Sequence, residues 1–116
     1  MARISTHILD LSRGSPAAGV RLELHRLAGG LREGVAEAIT NVDGRTSSPM
    51  LSDPDDAGGV FELVFQVWDY FRALGVPLTD PPFLDQIVIR FGVTAGASYH
   101  VPLLLSPYGY STYRGS

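Results

Sequence analysis

The sequence predicts an all-β sandwich. Three observations carry this: helical periodicity is scarce, short alternating or apolar runs recur along the whole chain, and Gly, Pro, Asp and Ser punctuate them at close intervals. The first candidate strand, Ile4 to Asp10, sends Ile4, Thr6 and Ile8 to one face and Ser5, His7 and Leu9 to the other. Val20 to Leu27 and Val35 to Asn41 follow, then a weak candidate near Pro49 to Ser52. In Val60 to Trp68, Phe61, Leu63, Phe65 and Val67 share a face opposite Glu62 and Gln66, so Phe61 and Phe65 belong to the core. Ile87 to Val93, Tyr99 to Leu105 and Tyr110 to Arg114 complete a set of short strands suited to two packed sheets.

One helix is expected, over Asp69 to Leu74, because Tyr70, Ala73 and Leu74 fall on one helical face and Gly75 supplies a stop. The segments Thr46 to Gly59 and Val76 to Pro82 read as surface connections. At 116 residues, 45 % of them hydrophobic and 18 % charged, residues 1–116 are expected to form a single folded domain. A domain of this size buries a modest share of its surface, and without cysteine it has no disulfides, so oligomerisation is the natural supplement.

The net charge is −3, and all nine basic residues are arginines scattered along the chain, which gives nucleic-acid binding no support. The opening MARISTHILDLS lacks the pattern of a signal peptide and no run approaches transmembrane length, so a cytoplasmic protein without a membrane partner is expected. Without thiols, chemistry must come from His, Arg, Ser, Tyr, carboxylates or backbone.

His7 stands on the polar face of its strand; taken alone, a strand histidine is more often structural than functional. His25 shares a face with Arg21 and Glu23, a solvated surface by this reading. His100 faces away from Tyr99, Val101, Leu103 and Leu105 and sides with Pro102 and Leu104, so its strand is apolar on both faces. An imidazole covered in this way must be hydrogen-bonded or lose its charge, and a satisfied core histidine is the plain alternative to a functional one. Arg45 follows the Asp43-Gly44 turn signal, and on a hairpin tip it would be an ordinary surface arginine. Ser15, in Gly14-Ser15-Pro16, is a turn residue rather than a nucleophile. No phosphate loop, dinucleotide fingerprint or HExxH motif is present, so generic motifs leave function open.

Three longer segments, THILDLSRGSPAAGV, TNVDGRT and YHVPLLLSPYGYSTYRGS, occur in that order. Together they resemble the 5-hydroxyisourate hydrolases, the enzymatic branch of the transthyretin-like family, across essentially the whole chain. YRGS is the most specific element; RGSPA and LLSPY-YST are shared with transthyretin hormone carriers and mark only the fold. The resemblance implies a sandwich of two four-stranded antiparallel sheets with one short helix. It also implies a homotetramer around a central channel with active sites at subunit interfaces. The implied substrate is 5-hydroxyisourate, opened by hydrolysis of a ring amide to 2-oxo-4-hydroxy-4-carboxy-5-ureidoimidazoline without cofactor or metal.

Carried over by position, the family's catalytic residues match His7, Arg45, His100 and Ser116, and its substrate-binding residues match Tyr113, Arg114 and Gly115. His7 and His100 would then serve as the acid/base pair, in either order. Arg45 and Arg114 would meet the carbonyl oxygens or charge of the flat substrate, and Ser116 would position water or substrate. One departure, TAGAS at Thr94 to Ser98, is expected to alter the rim of the site but not its chemistry.

A non-enzymatic carrier on the same fold is the first alternative. Two histidines and two arginines in an apolar channel argue against it, because desolvating them costs free energy unless a polar ligand meets them. Zinc ligation by His7 and His100 lacks thiolates and has cationic neighbours, and an adhesive surface domain lacks an export signal.

Overall fold

The computed structural model describes residues 2–115. The strands are β1 (Ala2–Asp10), β2 (Ser15–Pro16), β3 (Arg21–Ala28), β4 (Leu31–Ile39), β5 (Leu51–Asp53), β6 (Gly58–Gln66), β7 (Gln86–Thr94), β8 (Ser98–Ser106) and β9 (Gly109–Thr112), with helix α1 (Val67–Ala73) after β6. One sheet runs β2-β1-β8-β9, with the short β5 also paired to β1, and the other runs β4-β3-β6-β7. The two-sheet sandwich with one helix is as expected. The first sheet differs from four antiparallel strands in two ways: it has a fifth strand, and β1 and β8 run parallel. Between these two strands the chain crosses to the second sheet and back, so no hairpin dictates their relative direction.

The core lies between the sheets and is filled by the inward half of each alternation. Ile4 and Ile8 of β1, Leu22 and Leu24 of β3, Phe61, Leu63 and Phe65 of β6, and Leu103 and Leu105 of β8 are all fully buried. Burying each such side chain contributes about 1.5–3 kcal/mol before entropy is counted. Thr6 shares this face, and its hydroxyl donates to the Val101 carbonyl at 2.7 Å, which removes the cost of burying it. Asp10, fully buried at the end of β1, accepts bonds from the Ser12 amide and hydroxyl and from the Tyr70 hydroxyl at 2.8 Å. This ties the helix to the first sheet. Burial, followed by the neighbouring Asp10, raises the Tyr70 phenol above its ordinary pKa.

Three elements differ from the sequence reading. The helix starts at Val67 and buries Val67, Tyr70 and Phe71, not Tyr70, Ala73 and Leu74. Val67 satisfies the strand period and the helical i, i+3, i+4 spacing equally, and the chain turns into helix there. Strand β4 begins at Leu31 because Gly29-Gly30, both at positive φ, closes a two-residue hairpin from β3. Ser15 and Pro16 pair with Asp10 and Leu9 instead of lying wholly in a turn.

The polar side of β6 is not open to water either. Glu62 is buried beneath Arg32 of β4 and Arg90 of β7, whose guanidinium groups donate to its two carboxylate oxygens. Burial would raise its pKa, but the bonds from Arg32 and Arg90 outweigh that and hold it below the ordinary value.

Candidate active site

The outer face of the β1–β8 pair carries the residues with chemical potential. In the parallel register Ser5 lies beside His100 and His7 beside Pro102. The opposite face supplies Ile4, Ile8, Val101 and Leu103 to the core. His7 and His100 are therefore diagonal neighbours, one strand across and two residues along. At about 4.8 Å between strands and about 3.3 Å per residue, their backbones stand about 8 Å apart.

His7 Nε2 donates to the Asp43 carbonyl at 2.8 Å. A carbonyl can only accept, so the neutral ring carries its proton on Nε2 and leaves the Nδ1 lone pair free to accept a proton. The Asp43 carbonyl is held by a turn built around Asn41. The Asn41 side-chain oxygen accepts from the Asp43 and Arg45 amides, its own amide donates to the Arg45 carbonyl at 2.8 Å, and its carbonyl accepts from Gly44. The turn docks on β1 through the Ile8 amide and the Gly44 carbonyl at 2.8 Å, and His7 and Arg45 form a backbone bridge. Gly44 has φ +72°, and a Cβ there would lie 2.3 Å from the Ile8 carbonyl oxygen, so only glycine permits the contact.

Arg45 is thus not on a hairpin tip. Its loop carries the chain from β4 in one sheet to β5 in the other and presses the arginine against the histidine strand. The side chain is exposed, and among the described residues its guanidinium meets no carboxylate. An open cleft of about 230 Å³ beside it is lined by Arg3, Ser5, Arg45, Thr46 and Ser48, among others.

His100 is half-buried. Its Nδ1 is 2.9 Å from the Ser5 hydroxyl, which can donate or accept, so the histidine tautomer can follow the reaction. Burial lowers its pKa first, and the positive charge of Arg45 and then His7 lowers it further. All three favour the neutral ring, the form able to accept a proton. Over it lies the returning chain end: the Gly115 amide donates to the His100 carbonyl at 2.7 Å. A Cβ on Gly115 would come within 2.9 Å of His100 Cδ2, so the backbone packs directly on the imidazole.

His7, Arg45, His100 and Gly115 are therefore brought together. Tyr113 is exposed on the same returning segment, and Ser116 lies outside the described residues. Arg114 takes a different position: its guanidinium carbon sits 4.1 Å from the ring centre of Tyr99, and Nη2 donates to the Ser98 carbonyl at 3.2 Å. His25 is not solvated as expected. Its Nε2 is 3.4 Å from Glu23 and its Nδ1 is buried without a hydrogen-bond partner among the described residues, on the sheet away from the site. Among the described residues no three of His, Cys, Asp or Glu converge as a metal would require.

Two contributors escape the sequence reading. Ser5 becomes visible only through the parallel register, which no local pattern encodes. Asn41 had a signal, since an Asn two residues before Asp-Gly favours a side-chain-capped turn.

Residues 4–115 match the model of the HIUase/Transthyretin family, and the chain belongs to that family. Among its relatives, the 5-hydroxyisourate hydrolase of Pseudomonas aeruginosa is 52 % identical, over all of this chain and 93 % of that one. The solved Klebsiella pneumoniae 5-hydroxyisourate hydrolase is 34 % identical over the full length of both chains, with a TM-score of 0.82. A crystal structure of (S)-allantoin synthase matches with a TM-score of 0.92 at 40 % identity, and this chain spans 44 % of its length. Sea bream transthyretin, solved in complex with thyroxine, is 25 % identical over 97 % of this chain, with a TM-score of 0.86.

Proposed function

We propose that the chain is a 5-hydroxyisourate hydrolase acting in urate breakdown, and that His7, Arg45 and His100 carry the reaction. The observation behind this reading is the convergence of two imidazoles and an uncompensated guanidinium on one outer sheet face. Identity of 52 % to a hydrolase, against 25 % to a thyroxine-binding transthyretin, favours the enzyme over a carrier.

Hydrolysis needs a base for water, a stabilised oxyanion and a proton for the leaving nitrogen. Water attacks the ring carbonyl carbon, the carbon–nitrogen bond breaks, and the nitrogen leaves with a proton as a carboxylate forms. His7 Nδ1 and the neutral His100 ring are the two groups that can move these protons, in either order. Arg45, free of carboxylates among the described residues, is placed to meet developing negative charge with its planar donors. Tyr113 and Gly115 would close one side of the site, and Ser116 would position water or substrate. No cofactor is needed for these steps.

The cleft of about 230 Å³ is smaller than the ~300–1,000 Å³ usual for pockets that enclose a small molecule. A homotetramer in which facing subunits complete the site accounts for an open half-site on a sheet face. No helix among the described residues is long and apolar enough to cross a membrane, and the reading places the enzyme in the cytoplasm.

The test is the loss of absorbance of freshly generated 5-hydroxyisourate with purified protein and chelator present. Acceleration over the spontaneous decay is expected; decay at the spontaneous rate would overturn the assignment and return the carrier reading.

A further inference from the structure

Residues 114 and 115 grip opposite faces of β8. Gly115 packs on the His100 ring and bonds its carbonyl, while Arg114 reaches to the other face, over Tyr99, and bonds Ser98. Tyr99 is itself braced. Its hydroxyl oxygen accepts from the Thr94 amide at 3.0 Å and bonds the Thr94 hydroxyl at 2.9 Å. The end of β7 thus holds the tyrosine, the tyrosine ring holds the arginine, and the arginine precedes the glycine that covers the histidine.

We propose that Tyr99 is a positioning residue for catalysis: its ring latches Arg114, and so fixes the chain end over His100. Arg114 in this arrangement is a tether, not a substrate ligand. The inference rests on the hydrolase reading for its kinetic consequences, but the latch is a structural statement that can be measured without substrate.

A guanidinium over an aromatic face within about 6 Å of its centre is attracted by the negative face of the ring, weakly at an exposed site. Alone this is small, but among the described residues the Ser98 bond is the other anchor of the Arg114 side chain, and the Gly115 amide bond is the anchor that follows it. Chain ends without such contacts fray. Loosening the latch should free Gly115 from His100 and let water and ring motion in, and a small misplacement of an acid/base group can cost about a hundredfold in rate.

Three variants separate this from other roles. Tyr99→Leu keeps apolar bulk but removes the aromatic face; Tyr99→Phe keeps the face and removes the hydroxyl; Arg114→Gln removes the cation. Each is compared with the unaltered protein for kcat and KM on 5-hydroxyisourate and, separately, for hydrogen exchange of the Gly115 amide by NMR. Tyr99→Leu and Arg114→Gln should lower kcat about 10- to 100-fold with KM within about threefold, and should speed Gly115 exchange at least about tenfold. Tyr99→Phe should recover most of both.

A raised KM with unchanged kcat in Arg114→Gln would make it a substrate ligand and overturn the tether. Tyr99→Phe as damaging as Tyr99→Leu would assign the role to the hydroxyl and its bonds to Thr94, which also overturns it. If Tyr99→Leu fails to fold, Arg114→Gln, at an exposed side chain, decides the matter. Should the unaltered protein not consume 5-hydroxyisourate, the exchange rates still decide the latch, and unchanged Gly115 exchange in Arg114→Gln would refute it.

Discussion

At the scale of single residues, the site consists of a histidine pair whose chemistry is set by neighbours. His7→Ala and His100→Ala are each expected to lower turnover by about two to four orders of magnitude with folding retained, whereas His25→Ala, on the other sheet, stays within a few-fold. Steady-state rates on purified variants check this, and full activity in either of the first two removes that imidazole from the mechanism. Arg45 has two separable effects. Its charge helps hold the pKa of His100 down, after burial, and its planar fork is free for substrate. Arg45→Gln removes a positive neighbour, which makes protonation of His100 easier, so the acid limb of the pH profile of kcat/KM should move to higher pH. Arg45→Lys should leave that limb in place yet lose much of the rate. A limb that stays put in Arg45→Gln would mean that His100 does not titrate in the rate profile. The same lowered pKa has a stability consequence: the unfolded chain binds the proton more readily, so the contribution from His100 is present above the ordinary histidine value and is lost as pH falls towards the folded one.

At the scale of elements, the crossover loop Asn41–Arg45 does more than connect sheets. It sets the His7 tautomer through the Asp43 carbonyl and delivers Arg45, and its contact with β1 depends on Gly44. Gly44→Ala must relieve a positive φ and a 2.3 Å approach to the Ile8 carbonyl oxygen. A cost of about 1–3 kcal/mol is expected for the backbone conformation alone, with loss of rate exceeding that of a surface variant such as Gly34→Ala. A thermal midpoint and rate both equal to those of the unaltered protein would show that the loop is not docked in this way. On the other sheet, Glu62 is the buried partner and the arginines are the exposed ones. Removing Arg32 and Arg90 together strands a buried carboxylate and should destabilise by about 3–5 kcal/mol, whereas Glu62→Gln leaves two cations that water can solvate and should cost less. Denaturant unfolding of both variants gives the order, and the reverse order would mean that Glu62 is solvated in the folded protein. Because the Glu62 pKa is lowered, its contribution is present above the ordinary glutamate value and fades as pH falls through the folded one.

At the scale of the whole molecule, the face proposed to be catalytic is the outside of a sheet, which is an unusual place to exclude water unless something covers it. A homotetramer whose subunits face one another across these sheets would supply the cover. Light scattering is expected to give four times the chain mass, and rate per chain should fall on dilution below the assembly constant. A monomer with full activity would show that one sheet face suffices.

The sequence by itself determined the sandwich, its core and most of its strands, because period-two alternation and Gly/Pro punctuation are local signals that survive without neighbours. Phe61 and Phe65 are buried as the pattern requires, and Ile4, Thr6 and Ile8 part from Ser5 and His7 across β1. The resemblance carried by three longer segments singled out His7, Arg45 and His100, while the residues taken one by one left their roles open. What only the tertiary structure decided are relations between distant segments: the parallel β1–β8 register that sets Ser5 against His100, the crossover that turns Arg45 from a surface arginine into a neighbour of His7, and the position of Arg114 on Tyr99. Val67 passed from strand to helix, and His25 from solvent to partial cover, for the same reason. A side chain's own alternation gives its face, but its partner across that face is chosen by register and chain crossing, which depend on the packing of the whole sandwich.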